Sequence, residues 1–553
     1  MLAVSLIILI IISLINILRA EPKNDLETTN PENQTELPQE GGAYSEGLIG
    51  SVKRLNPLFT EFNNVDRDIS NLVFSGLSKY DPLKGEVVED LATHTLSVDK
   101  KTYTFNIKKN VFWHDENPLT AEDVYFTYHE IIQHPDFKNP ILKSNFQGIE
   151  IKLIDKNTIT FTLNEPNAFF FTNTTLGILP KHILKDVPVA ELEKHEFNNF
   201  PIGSGPFKVE GPIKTNVNGQ NEVFLTRFDK YYGEKAFVKE LKFFTYVSEE
   251  AMFKERKELN GLSKITDQNY LQILNESKHY QLIPYTLPQY TAIFFNMEST
   301  IIKNGKVRLA LLKAIEKEKL IQKLGLKKRI DTPLLELDQE NWIYQYSKEE
   351  AMGALYDAGW RYKETEKGIS KIRENADNMT LTLRLLTSSF ETNKSRQEEN
   401  EKTIEFIKQS LEEIGVHIIV ETLKNEELEQ KIREGKYDLL LSGQGMGYNL
   451  DTYSFWHSSQ GNGIGLNLSN YKSPIADNLI EAIRTTFNPE VKKEKLKNLA
   501  KTIATDVPAI FLYTPVYYYV IDFSIKNIQI TSLSFPSDRL TNITKWYIKE
   551  KKS

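Results

Sequence analysis

His114, Asp115 and Glu116 stand side by side, and Glu122, Asp123, His129, Glu130 and His134 follow them closely. Imidazoles and carboxylates at short range are the material of general acid–base catalysis and of zinc sites. A helical zinc site places two histidines at i and i+4. His129 and His134 are five apart, which turns the second imidazole about 140° from the first. His114, Asp115 and Glu116 fall between a strand-like run and a helix start, so consecutive side chains diverge. Thr120 followed by Glu122 and Asp123 reads as that start: the hydroxyl accepts from first-turn amides and the carboxylates complement the positive end of the dipole. The stretch Val111–Tyr128 is therefore read as scaffold. No GxSxG elbow or GxxxxGK[ST] loop occurs; "IGSGPF" (Ile202–Phe207) flanks a serine with glycines but lacks the elbow spacing. Cysteine is absent, which removes a thiol nucleophile, disulfides, thiolate metal sites and lipidation at an N-terminal Cys, and nine histidines argue against a His-rich metal site. The expectation is a protein that is not an enzyme and carries no cofactor or metal.

The elements that must carry any site alternate in type. "TYTFNIKKNVFW" (Thr102–Trp113) and "NTITFTLNEP" (Asn157–Pro166) alternate apolar and polar residues as half-buried strands. Asn218-Gly219 between two strand-like runs predicts a hairpin. Ile404, Ile407, Leu411 and Ile414 fall at helical spacing, Gly415 follows as a C-cap, and "VHIIVETL" resumes as a strand. Helix-to-strand units of this kind imply α/β architecture. The 553 residues allow several domains, and no fixed-period repeat points to a solenoid. A net charge of −7 with scattered lysines argues against nucleic acid as a partner.

Residues 1–18 carry no charged side chain and are long enough to cross a bilayer as a helix. Residues 1–20 are thus a signal peptide or a transmembrane anchor. Leu18 sits where cleavage wants a small residue and no basic segment precedes the apolar run, which favours an uncleaved anchor. Residues 21–42, almost devoid of apolar side chains, read as a flexible tether, so the folded body begins near Ala43.

Several motifs occur in an order that resembles one family. "YTFNIKKNVFWHDENPLTAEDVYFTY" looks like the signature region of the family 5 solute-binding proteins of ABC importers, the group of oligopeptide- and dipeptide-binding proteins. "LNPLF" (Leu55–Phe59), "DISNLVFSGLSKYDP" (Asp68–Pro82), "GILPKHIL" (Gly177–Leu184), "AIFFNMES" and "GYNLDTYSFWHSSQ" continue the likeness from about Ala43 to Ile548. The resemblance implies an α/β, two-lobed clam of the periplasmic-binding-protein class II type with an additional domain. Lobe I would comprise 43–82, 203–282 and 508–553, the extra domain 83–202, and lobe II 283–507. It further implies an extracytoplasmic monomer, in the periplasm or at the cell surface, that captures peptides between the lobes and delivers them to an ABC permease driven by separate ATPase subunits. The alternatives are the same fold binding a sugar, metal chelate or other small solute, and a surface-anchored protein without a transport role.

Aligned with the dipeptide-binder pattern, Tyr448 stands where that pattern has its amine-binding Asp. A neutral Tyr cannot neutralise a desolvated ammonium. Either Asp451 takes over, or the amine stays solvated, or the cargo is not a free-amine peptide; Asp451 reads equally well as an Asx turn. The candidate ligand contacts are Tyr448, Asn449 and Asp451 with Trp456 in the loop, Phe62 and Asn63 after the first strand, and Asn296 at the lobe entrance.

Overall fold

Glu46, Leu48 and Tyr44 are buried along the strand Ala43–Ile49, which lies at the centre of the larger of two main sheets. The computed structural model describes residues 38–549 apart from 218, 336–343, 367, 391–393, 449 and 464. The apolar segment 1–20, most of the tether, Asn218 and Asn449 therefore lie outside the described residues, among which no helix is long and apolar enough to cross a membrane. Strand Ala43–Ile49 runs parallel to Glu240–Tyr246 on one side and pairs with Gly261–Ile265 on the other. Across the sheet the order is Tyr280–Tyr285, Tyr517–Asp522, Gly261–Ile265, Ala43–Ile49, Glu240–Tyr246, Asn221–Arg227 and Phe207–Val209, with Lys214–Thr215 paired to Asn221–Arg227 around Gly219.

The smaller sheet has the order Lys327–Arg329, Ala509–Pro515, Gln289–Phe295, Leu439–Gly445, Thr382–Ser388 and His417–Leu423. Helix Lys394–Glu412 covers it, burying Ile407 and Leu411, and leads into the parallel pairing of Thr382–Ser388 with His417–Leu423. Gly415 makes the turn between them with φ +84°; a Cβ there would meet the Tyr362 ring at 2.8 Å, so both conformation and space require glycine. Apolar clusters fill both faces of each main sheet.

The chain passes between the two sheets twice. Tyr280–Tyr285 pairs along its whole length with Tyr517–Asp522 in the larger sheet, and Gln289–Phe295 pairs with Ala509–Pro515 in the smaller. The changeovers thus fall at 286–288 and at Val516, beyond the divisions at 282/283 and 507/508 expected from sequence. The pairing register decides this, because each strand stays with its own sheet until its last hydrogen bond. Two connections side by side are the geometry of a hinge.

Residues 92–162 build a third, four-stranded antiparallel sheet, in the order Ala92–Leu96, Thr102–Ile107, Thr158–Thr162, Glu150–Leu153. Tyr103, Phe105 and Ile107 alternate inward and meet Tyr128, Phe146, Phe161 and Phe170 in an aromatic core. Thr120 caps the helix Ala121–Tyr125: its hydroxyl accepts from the Glu122 amide at 3.3 Å, and Asp123 Oδ2 accepts from the Thr120 amide at 2.9 Å. The neighbouring acid and imidazole groups go three ways. His114 Nδ1 accepts from the Gly203 amide and Nε2 donates to the Gly205 carbonyl, Asp115 pairs with His182 at 2.7 Å, and Glu116 pairs with Lys230 at 2.6 Å. Gly203 and Gly205 lie flat against the Val73 carbonyl, where a Cβ on Gly203 would come within 1.9 Å. "IGSGPF" is a packing motif that joins the extra domain to the larger lobe.

Candidate ligand-binding cleft

Where Leu439–Gly445 leaves the smaller sheet, Met446-Gly447-Tyr448 reaches over to the larger lobe. Gly447 takes φ +58°, and a Cβ there would strike the Phe535 ring at 2.8 Å. This close approach brings the Tyr448 ring against Tyr80, stacked at 5.0 Å, and edge-on to Phe535 at 4.6 Å. The Tyr448 hydroxyl donates to Asp538 Oδ1. Behind this contact lies a cavity of about 690 Å³, walled by the larger lobe, the extra domain and the loop, with Arg67, Tyr80, Tyr231, Tyr448 and Phe535 among its lining.

Asp538 is only 1% exposed, and its Oδ2 accepts from the amides of Ser534 (2.8 Å) and Phe535 (2.7 Å). Burial pushes its carboxyl up to about 6, opposed by the Tyr448 hydroxyl, these amides and the Arg67 charge. Arg67 lies 3.9 Å over the Phe535 ring and donates to the Glu61 carbonyl at 2.7 Å; burial lowers its pKa. The turn Pro536–Leu540 that presents Asp538 is held from below by Arg539. Its fully buried guanidinium pairs with Glu46 and, at 2.8 Å, with Asp68, and donates to the Pro536 carbonyl at 2.6 Å.

A second cluster lies near the changeovers. Lys264, half-buried on Gly261–Ile265, sets its ammonium 4.1 Å from the centroid of Tyr517, the first residue of its strand beyond the changeover at Val516. Burial draws its pKa down to about 8; among charged neighbours, Arg396 and Lys327 act in the same direction, Glu249 and Glu399 against it. Arg396, Lys327 and Glu399 belong to the smaller lobe, so Lys264 faces that lobe. The Tyr517 hydroxyl accepts from Gln289 Nε2 at 2.7 Å, linking the strands that carry the two connections.

The other residues singled out from sequence have different surroundings. Asp451 Oδ1 accepts from the Tyr453 amide at 3.1 Å, its Oδ2 lies 3.0 Å from Arg484 Nε, and burial raises its pKa against the opposing Arg484 charge. Asn63 caps the helix Asn64–Val73 and donates to the Ser51 carbonyl and Asp66. Phe62 is 87% exposed, while Thr60 and Glu61 of the same stretch line the cavity. Asn296, 3% exposed, donates to the carbonyls of Gly435 and Tyr437 and accepts from Asn470 inside the smaller lobe. Trp456, 1% exposed, packs among Phe294, Tyr471 and Phe511. Of the set, the structure brings Tyr448 to the cavity. Arg67, Lys264, Phe535 and Asp538 did not emerge from sequence reasoning; the only local signal was "FPSD", a proline-containing turn with an acidic residue in the first turn of a short helix.

The family model described as "Bacterial extracellular solute-binding proteins, family 5 Middle" matches residues 86–465. The oligopeptide-binding protein AppA of Bacillus subtilis is 27% identical over 534 residues, covering 92% of each chain. The dipeptide-binding protein of Escherichia coli is 24% identical over 499 residues, covering 84% of this chain and 87% of its own. The solved structure of B. subtilis AppA in complex with a nonapeptide matches with a TM-score of 0.69 and 26% identity, over 93% of this chain and 100% of that one. NikZ from Campylobacter jejuni in complex with Ni(L-His) shares the fold at a TM-score of 0.70 and 24% identity, over 91% and 99%. The sheet order, the paired changeovers and the length of the family match together make this chain a member of the bacterial extracellular solute-binding proteins of family 5.

Proposed function

We propose that this chain is the extracytoplasmic receptor of an ABC importer, capturing peptides between its lobes and presenting the closed form to the permease. The observation that carries the reading is the hydrogen bond from Tyr448 of one lobe to Asp538 of the other beside a cavity of about 690 Å³. A loop that reaches across a cleft, on lobes joined by two adjacent connections, is equipped to close over a solute. The oligopeptide- and dipeptide-binding relatives support peptide as the solute. An extended peptide held through main-chain hydrogen bonds would let one cleft accept many sequences. Within this reading Tyr448 lines the cleft, and Asp451 stabilises the loop through Arg484 and the Tyr453 amide. The receptor acts as a monomer held at the membrane by residues 1–20, near its permease, where a tether raises the effective concentration.

Native mass spectrometry of the full chain, purified without denaturation, tests the reading. A ladder of peptide masses released on activation is the expected result. A single non-peptide mass, or a cleft that peptide libraries neither fill nor stabilise, would refute peptide as the cargo.

A further inference from the structure

Phe169 belongs to the extra domain but is buried, 5% exposed, in the apolar cluster of the smaller lobe; among the described residues no other side chain of that domain joins this cluster. The core of the extra domain is instead continuous with that of the larger lobe, from Tyr44 and Leu48 to Phe105 and Phe161, and Gly203 and Gly205 join the two by lying against the Val73 carbonyl. Larger lobe and extra domain are therefore one body, and the contact at Phe169 crosses from that body to the other.

The tip that carries Phe169 is held by its own side chains. Asn167 Oδ1 accepts from the Phe169 amide at 2.9 Å, and the Asn167 carbonyl accepts from the Tyr103 hydroxyl at 3.0 Å, which ties the turn to strand Thr102–Ile107. The Ala168 amide donates to the Arg484 carbonyl at 2.6 Å, at the end of helix Pro474–Arg484. The Lys492 ammonium, on helix Pro489–Asp506, lies 3.7 Å from the centroid of the Phe169 ring. The exchange is mutual: Phe487, between those two helices, packs against the core of the other body, with the Lys100 ammonium 5.8 Å from its ring. Arg484 also supports the ligand loop, since its Nε is 3.0 Å from Asp451 Oδ2 and its guanidinium lies 4.5 Å over the Tyr453 ring. The docked tip and the loop that carries Tyr448 thus bear on the same residue. Phe169, Arg484, Phe487 and Lys492, all among the described residues, do not line the cavity.

We propose that the extra domain is a second latch on the closed form: its tip Asn167–Phe169 docks on the smaller lobe when the lobes close and positions the ligand loop through Arg484. The inference rests on the reading of the chain as a receptor that closes over its cargo. Rotation about the connections at 286–288 and Val516 that separates the lobes must pull Phe169 out of one core and Phe487 away from the other. A contact present in only one of two forms shifts the population toward that form whatever the cargo. Phe169 is a positioning residue: it sets how firmly every cargo is held and does not select among them.

The test uses the full chain, random penta- and nonapeptide libraries as probes, native mass spectrometry and calorimetry for binding, and amide hydrogen exchange. In the unmodified protein, exchange across 165–171 is expected to slow at least tenfold on adding a library, although this segment does not line the cavity. Phe169→Ala should weaken every retained peptide by a common factor of at least tenfold, read as faster release, since burial of a phenylalanine corresponds to roughly 10- to 150-fold in affinity. Phe487→Ala should act in the same direction, and Phe169→Leu should recover most of the affinity. An affinity of Phe169→Ala within twofold of the unmodified protein's, or a change in which peptides are retained, overturns the proposal; so does exchange across 165–171 that cargo leaves unchanged. If Phe169→Ala does not fold, the exchange measurement on the unmodified protein decides. Should no library member bind, the peptide reading fails, and the latch is judged in cargo-free protein by small-angle scattering: Phe169→Ala is expected to be the more expanded, and equal radii of gyration overturn the latch as well.

Discussion

Tyr448→Phe removes one oxygen and leaves the stacking on Tyr80 and Phe535 in place. What is lost is the donor to Asp538 Oδ1, on a carboxylate whose other oxygen already has two amides. A hydrogen bond to a charged, buried acceptor contributes about 1.5–3 kcal/mol. Donor and acceptor come from opposite lobes, so the loss falls on the closed form alone. Where cargo binds that form, affinity should weaken by about 10- to 150-fold, at 1.4 kcal/mol per decade. Calorimetric titration with a bound peptide identified from the purified protein measures this, and urea unfolding separates it from general destabilisation. The size should also depend on pH. Below about 6 Asp538 carries a proton, the bond becomes one between neutral partners, about 0.5–1.5 kcal/mol, and the gap between the two proteins narrows. Equal affinities of Tyr448→Phe and the unmodified protein at pH 7.5 would show that the bond does not hold the lobes together.

Arg539→Met leaves Glu46 and Asp68 as buried carboxylates without their cation; a loss of about 3–5 kcal/mol is expected, and an unshifted urea midpoint would disprove the role given to the triad. His114 is buried as the neutral ring, its pKa drawn from 6.5 down to about 4 by desolvation. The folded state therefore binds fewer protons, and the contribution is complete above 6.5 and disappears as the pH falls toward 4, about 3 kcal/mol in all; the stability difference between the unmodified protein and His114→Gln should shrink across that window, and a constant difference would contradict it. Asp451→Asn keeps an acceptor for the Tyr453 amide but loses the charge opposite the partly exposed Arg484, so about 1 kcal/mol or less of stability should go with no selective loss of free-amine peptides. A loss confined to such peptides would make Asp451 the amine anchor.

Local rules in the sequence were legible because their partners are near in the chain. Thr120 caps the helix that begins at the next residue, Gly415 turns a helix into a strand, and Tyr103, Phe105 and Ile107 alternate toward one core. The site was less legible because its partners are distant: Tyr448 and Asp538 are 90 residues apart, and Arg539 and Glu46 are 493 apart. No spacing rule spans such distances. Trp456 and Asn296 illustrate the converse difficulty. An aromatic beside a ligand loop and an amide at a strand end look the same in sequence whether they face solute or the lobe interior, and here packing and backbone carbonyls claim both.

The position of Tyr517–Asp522 between Tyr280–Tyr285 and Gly261–Ile265 also sets an order of assembly. A chain made from its N-terminus completes every strand of the smaller sheet before this one exists. Until then the larger sheet ends at Gly261–Ile265 and Tyr280–Tyr285 has no strand to pair with, so both present unpaired amides and carbonyls, as an edge strand does. Arg539, the counter-charge for Glu46 and Asp68, arrives later still. The smaller lobe can therefore close on itself early, while the larger one waits on contacts of very long sequence separation, which form slowly and leave the intermediate prone to misassociation. The larger lobe is completed only once Tyr517–Asp522 and Arg539 have been made, and a holding chaperone would find its target in the open strands Gly261–Ile265 and Tyr280–Tyr285.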